Sequence, residues 1–168
     1  MANTDICTMH QCHLLLGSNQ GDRSEFLEQA RSALSDLGHV VSTSALYETA
    51  AWGLTDQPAF LNQAVCLSTE LAPETLLQEI LSIELKLGRT RTEKYGPRTI
   101  DIDILLYGDH IHQSNTLILP HPELANRRFA LTALAEIAGS SIHPVLDCSI
   151  LTLLERCPDP LPVNEFSQ

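Results

Sequence analysis

Two extended stretches, residues 40–47 and 60–69, follow each other with no helix between them, and that succession limits the fold more than any other feature. Parallel strands need a crossover, usually a helix, so a doubly wound parallel sheet is disfavoured. The surrounding chain fits the same reading. A short apolar strand at 13–16 runs into the turn-rich Gly17-Ser18-Asn19-Gln20-Gly21. Asp22 with Glu25 three residues on has the form of a capping box. The helix that follows keeps Phe26, Leu27, Ala30, Ala33, Leu34 and Leu37 at helical spacing and meets Gly38 at its end.

A loop spans 49–58 between the two extended stretches. Pro73 then opens a second helix that runs to 87 and stops at Gly88. Residues 99–107 read as a strand, Gly108-Asp109 as a hairpin turn and 110–112 as its return. A further extended piece at 117–119 closes on Pro120, helices are expected at 129–138 and 150–156, and the end after Cys157 reads as extended and frayed. The order β-α-β-β-α-β predicts an α+β, ferredoxin-like sandwich on an antiparallel sheet, with an extra hairpin and C-terminal helices. No repeat, low-complexity tract or linker divides the 168 residues, so one domain is expected over 1–168, with its core at about 12–145 and an extension at 146–168.

Residues 1–5 show neither a basic head nor an apolar stretch, and no apolar run reaches the ~18 residues of a membrane span, so the chain reads as cytoplasmic. Five scattered cysteines without a C-x-x-C pair read as reduced thiols. Cys7 and Cys12 with His10 and His13 match no common zinc spacing. A formal net charge of −11 disfavours nucleic acid and anionic membrane surfaces. Against that background Lys86, Arg89, Arg91, Lys94 and Arg98 crowd into thirteen residues, and Arg127 and Arg128 follow later. Such concentration suits a compact polyanion, although a solvated charged loop has the same composition.

Three groups of residues carry chemistry. In Thr99-Ile100-Asp101-Ile102-Asp103-Ile104-Leu105, strand alternation puts the isoleucines on one face and both aspartates on the other, roughly 6.7 Å apart. Like charges on one face repel, and a hard divalent cation relieves them, as Mg2+ does when carboxylates hold it against phosphates. A D-x-D alone is weak evidence, and an exposed strand face without a role gives the same pattern. Just upstream lies the cationic run from Arg89 to Arg98, delivered to the same place by short covalent distance. Arginine forks and positioned charge suit phosphoryl transfer. Third, Glu84 falls inside the apolar arc of its helix, between Leu77 and Ile80. It either pairs with Arg89, about one turn on, or sits beside the nucleotide and the neighbouring arginines. Gly17 to Ser24 has no Lys before its Ser and is no P-loop.

Together these residues resemble 6-hydroxymethyl-7,8-dihydropterin pyrophosphokinase, a family whose signature is closely similar to the run from Lys94 to Leu105, KYGPRTIDIDIL. The resemblance extends through Gly17-Ser18-Asn19, Tyr47-Glu48-Thr49, Gln57-Pro58, Phe60-Leu61-Asn62, Ile83-Glu84, Leu119-Pro120-His121-Pro122 and Arg127-Arg128-Phe129, about residues 12 to 145. It implies pyrophosphate transfer from ATP to the hydroxymethyl group of the dihydropterin, releasing AMP, in folate biosynthesis. It implies two Mg2+ ions on Asp101 and Asp103, and Arg89 and Arg98 on the transferring phosphates. Arg91, Lys94 and Arg127 would add positive charge, with Glu84, Ile104 and His121 on the nucleotide side and Tyr95 on a closing loop. The pterin would stack between Phe60 and Phe129, near Thr49, Trp52 and Asn62; read singly, both phenylalanines would fit a core equally well. The family resemblance further implies a monomer whose partners are ATP and the pterin, and no side chain stands out as a general base.

Overall fold

The computed structural model describes residues 8–51, 56–90 and 95–167. Its main sheet is antiparallel and follows the order β5-β1-β4-β3-β8, with β2 also paired to β4. The strands are β1 (His10–Ser18), β2 (His39–Thr43), β3 (Tyr47–Thr49), β4 (Phe60–Thr69), β5 (Asp101–Tyr107) and β8 (Val163–Glu165). Counting β2 and β3 as one interrupted strand gives the ferredoxin-like arrangement expected from the element order. β6 (His112–Gln113) and β7 (Ile118–Leu119) form a separate small hairpin.

Four α-helices among the described residues cover the sheet. α1 (Arg23–Leu34) begins where Asp22 accepts the backbone N–H of Glu25 at 3.0 Å, and α2 (Pro73–Lys86) begins at Pro73 itself. Leu27, Ala30, Leu34, Leu76, Ile80 and Ile83 of these helices bury against Leu14, Leu16, Val65, Leu67, Ile102 and Ile104. On the opposite face, α3 (Arg128–Ala138) and α4 (Ile150–Arg156) pack Leu131, Leu134, Ile150 and Leu153 against Leu15, Ala64, Leu105 and Leu106. Both faces of the sheet are therefore apolar where helices lie. Beyond the start of α3, no helix among the described residues covers the second face.

Several local expectations are corrected. The stretch 40–47 is two strands, because the backbone leaves regular pairing around Ser44. That residue is buried; its N–H donates to Ala64 O, its hydroxyl accepts from Ala64 N, and its carbonyl accepts from the Gln63 side chain. The 110–112 return does not pair with β5. Residues 112–113 pair with 118–119 instead, and Glu74 on α2 holds that hairpin by accepting from His112, Ser114 and Thr116. The C-terminal end is not frayed: β8 adds to β3, and Phe166 packs on the first core.

Candidate active site

Side chains projecting from the open part of the second face line a cleft of about 240 Å3. Strand alternation brings Leu15 and Gly17 of β1, Phe60 and Asn62 of β4, and Asp101 and Asp103 of β5 to that face. Register aligns them in rows: Asp101 is opposite Gly17, which is opposite Asn62, and Asp103 is opposite Leu15. Thr49 and Ala50 extend the floor, and Phe129, in the first turn of α3, forms a wall. Arg89, Tyr95, Arg98, His121 and Arg127 complete the lining.

Charge is concentrated at the β5 side. Asp101 accepts from Arg89 Nη1 at 2.9 Å and from Arg98 Nη1 at 2.8 Å, one arginine per carboxylate oxygen. Asp103 has a looser partner, Arg127 at 3.9 Å. Burial first, and then the Asp101 charge, raise its carboxyl above the ordinary range. Asp103, loosely paired and repelled by Asp101, lines the cleft beside it, and two sets of hard oxygen donors there fit a divalent cation of the Mg2+ type.

Of the two readings open for Glu84, the structure places it in the ion pair. It is 2% exposed, lies 2.6 Å from Arg89 Nη1, and accepts the backbone N–H of Ile102 at 2.8 Å. Burial raises its carboxyl above the usual range despite these partners. Glu84 thus stands behind the cleft, fixing Arg89 and the strand between the two aspartates. Ile104 also faces away from the cleft, toward the first core. It lines a second cavity of about 290 Å3 with Leu77, Ser114, Thr116, Leu117 and Ile118. Asp103 and His121 border both spaces. His121 Nδ1 accepts the N–H of Glu123 at 3.1 Å, which leaves the proton on Nε2. Burial, then Arg127, lower its pKa to about 4, so the ring is neutral at pH 7.

Trp52, Arg91 and Lys94 lie outside the described residues. The structure also reveals roles that the motifs alone did not assign. Buried Asn19 donates to Gln57 Oε1 (2.9 Å) and Pro58 O (3.1 Å), and accepts from Arg98 N (2.9 Å). Gln57 in turn donates to Tyr95 O at 2.7 Å. One side chain thereby ties together three loops that border the cleft. Gly17 keeps the floor of the cleft low: a Cβ there would crowd Asn62 Oδ1 at 3.2 Å and touch Phe60 Cδ1 at an ordinary 3.6 Å. A buried Asn in a Gly-Ser-Asn turn was the available signal for the first. The second is visible only from the register.

A sandwich fold with paired carboxylates and three arginines at one end of an aromatic cleft defines the class, an enzyme domain for transfer of phosphate groups. The family model described as 7,8-dihydro-6-hydroxymethylpterin-pyrophosphokinase (HPPK) matches residues 13–139, and the chain belongs to that family. It is 41% identical over 137 residues to the 2-amino-4-hydroxy-6-hydroxymethyldihydropteridine pyrophosphokinase of Aquifex aeolicus, covering 82% of this chain and 86% of that one. It is 43% identical over 148 residues to the folic acid synthesis protein fol1 of Pneumocystis carinii, covering 88% of this chain and 20% of that protein. Among solved structures, Plasmodium falciparum HPPK-DHPS with pterin and p-hydroxybenzoate superposes with a TM-score of 0.71 at 17% identity. That match covers 89% of this chain and 42% of the other, and at this identity it speaks for the fold alone. The chain therefore spans less than half of these two larger proteins and most of the bacterial enzyme. The family's reaction is transfer of pyrophosphate from ATP to hydroxymethyldihydropterin in folate synthesis.

Proposed function

We infer that this chain is an active pyrophosphokinase, which moves the β,γ-pyrophosphoryl group of ATP onto the hydroxymethyl group of 6-hydroxymethyl-7,8-dihydropterin. The observation that carries the reading is the layout of the cleft. Cations and carboxylates gather at β5, while aromatic and amide groups gather at β4, β3 and the start of α3. A molecule with a polyanionic end and a flat heterocyclic end matches that polarity.

The pterin lies between Phe60 and Phe129, whose faces suit a planar ring. Asn62 donates to Thr49 Oγ1 at 3.0 Å, which fixes the amide for the ring edge. ATP extends from the β5 end into the second cavity, where the Leu77, Leu117 and Ile118 surfaces suit a purine. Asp101 and Asp103 would hold two Mg2+ ions, which when bound offset charge on the triphosphate. Arg89, Arg98 and Arg127 neutralise the same oxygens, and the His121 Nε2–H donates to a phosphate. The pterin hydroxyl oxygen bonds to the β-phosphorus as the bond from that phosphorus to the α,β-bridging oxygen breaks. AMP leaves with that oxygen, and the hydroxyl proton passes to solvent. Positioning and charge neutralisation supply the rate enhancement.

The same reading takes residues 1–168 as one domain acting as a cytoplasmic monomer, and the net charge of −11 supports a protein that engages neither nucleic acid nor anionic membrane. No helix among the described residues is long and apolar enough to cross a membrane. A coupled assay for AMP tests the function. AMP release that requires ATP, the dihydropterin and Mg2+ together supports it. Phosphate release without pterin would identify a hydrolase, and nucleotide binding without AMP a binding module.

A further inference from the structure

The family match ends at residue 139, yet between 157 and 166 the chain returns beside two elements that carry cleft-lining residues. On one side Asp159, 6% exposed, accepts the backbone N–H of Arg128 at 3.1 Å and of Leu161 at 3.0 Å. The Arg128 guanidinium answers, with Nε donating to Asp159 O (2.8 Å) and Nη2 to Cys157 O (2.9 Å). The N-cap of α3, Arg127, supplies no side-chain cap of its own. A carboxylate from thirty-one residues along the chain therefore takes one of the open N–H groups at that helix start, where negative charge is favoured. The next residue is Phe129.

On the other side, β8 pairs with β3 so that Val163 is opposite Thr49 and Glu165 opposite Tyr47. Phe166 N donates to Leu46 O at 2.8 Å, and the Arg23 guanidinium lies 5.6 Å from the Phe166 ring centroid. Without β8, a three-residue strand would form the edge of the sheet beneath Thr49. One segment thus fastens both Phe129 and Thr49, which line the cleft from different elements.

We propose that residues 157–166 act as a strap that sets the spacing of the pterin end of the cleft, with Asp159 and Arg128 as positioning residues for the pterin more than for ATP. The proposal rests on the placement of the pterin described above. Glu84 and Asn19 hold Arg89 and the Arg98 backbone at the phosphate end from other elements, whereas Arg127, which faces Asp103, leaves the same turn as Arg128.

Steady-state kinetics on the full chain tests it, with each substrate varied in turn, beside titration of 6-hydroxymethylpterin and of α,β-methylene-ATP. Arg128→Ala and Asp159→Ala are expected to raise the pterin KM and Kd about tenfold, the scale of one lost charge-assisted hydrogen bond. The ATP KM and the saturated kcat should change much less than the pterin constants, because Glu84 and Asn19 still hold Arg89 and the Arg98 backbone. Asp159→Asn keeps one acceptor oxygen and should fall between. If Asp159→Ala does not fold, Arg128→Ala decides, since it leaves the carboxylate on the helix N–H. Equal losses for both ligands, or a folded Arg128→Ala with wild-type pterin affinity, would overturn the strap. Wild-type chain that binds the ATP analogue but no pterin would overturn the underlying placement instead.

Discussion

Asp101 and Asn62 stand in one row of the sheet, each directly opposite Gly17 from its own side. Two strand spacings separate them, roughly 10 Å, a span that brings a phosphate held at one within reach of a ring read at the other. Gly17 leaves that floor open. Gly17→Ala is expected to raise the pterin KM about tenfold, because its methyl would crowd the Asn62 amide and fill part of the floor beneath the ring. Phe129→Ala should likewise weaken pterin binding far more than ATP binding. Kinetics with each substrate varied separately checks both, and equal effects on the two KM values would count against this arrangement.

Asp103 shares its face with Asp101, and its ion-pair partner among the described residues, Arg127, is 3.9 Å away. Replacing Asp103 by Asn removes a repulsion that the free chain tolerates poorly. Turnover is expected to fall by about 10² to 10³, comparable to loss of a transition-state charge partner. The melting temperature of the metal-free protein should stay level or rise. A variant that kept its activity, or one that unfolded, would contradict the assignment.

Glu84 calls for a different outcome. Its Ala variant leaves Arg89 with Asp101 alone of its two carboxylates and Ile102 without an acceptor on the outer side of β5, an end strand of the sheet. A loss of about 3 kcal/mol in stability is expected, together with reduced turnover. Glu84→Gln keeps an acceptor for Ile102 and should lose less. Urea unfolding of the two variants distinguishes this from a direct role at the nucleotide, for which stability would barely change.

Two buried histidines, His13 and His143, and the half-buried His121 set a pH dependence. Burial lowers the pKa of His13, His121 and His143 below the ordinary value, so the unfolded chain takes up protons there before the folded one does. Stability is then fully present above about pH 6.5 and falls as pH drops toward the folded values. Each contributes at most about 1.4 kcal/mol per pH unit in that window. His13, 8% exposed with Nδ1 lacking a hydrogen-bond partner, faces the side of the sheet that carries Leu15. His13→Leu should therefore raise the melting temperature more at pH 5 than at pH 7.5, and an equal gain at both would refute this origin.

Much of the site was legible because period-two alternation is local. The D-x-D strand placed both aspartates on one face from sequence alone, and the apolar arc of α2 foretold a buried Glu84. Pro73 and Gly88 likewise bounded their helix to within two residues. What escaped was decided by distant partners. The hairpin at 112–119 takes its course from Glu74, some forty residues earlier. β8 offers only three strand residues among prolines, too little pattern to reveal that β3 completes it. Ser44 interrupts a continuous β-prone run through bonds to Ala64 and Gln63 that periodicity does not encode.

The most direct measurement follows all three phosphorus atoms of ATP by 31P NMR during turnover with the dihydropterin. If the cleft holds the triphosphate as described, the α-phosphorus appears in AMP while β and γ leave together on the pterin, and Asp103→Asn slows both signals alike. ADP with a pterin monophosphate, or free phosphate without a pterin ester, would show that attack occurs elsewhere on the chain of phosphates and that the carboxylates and arginines do not act as proposed.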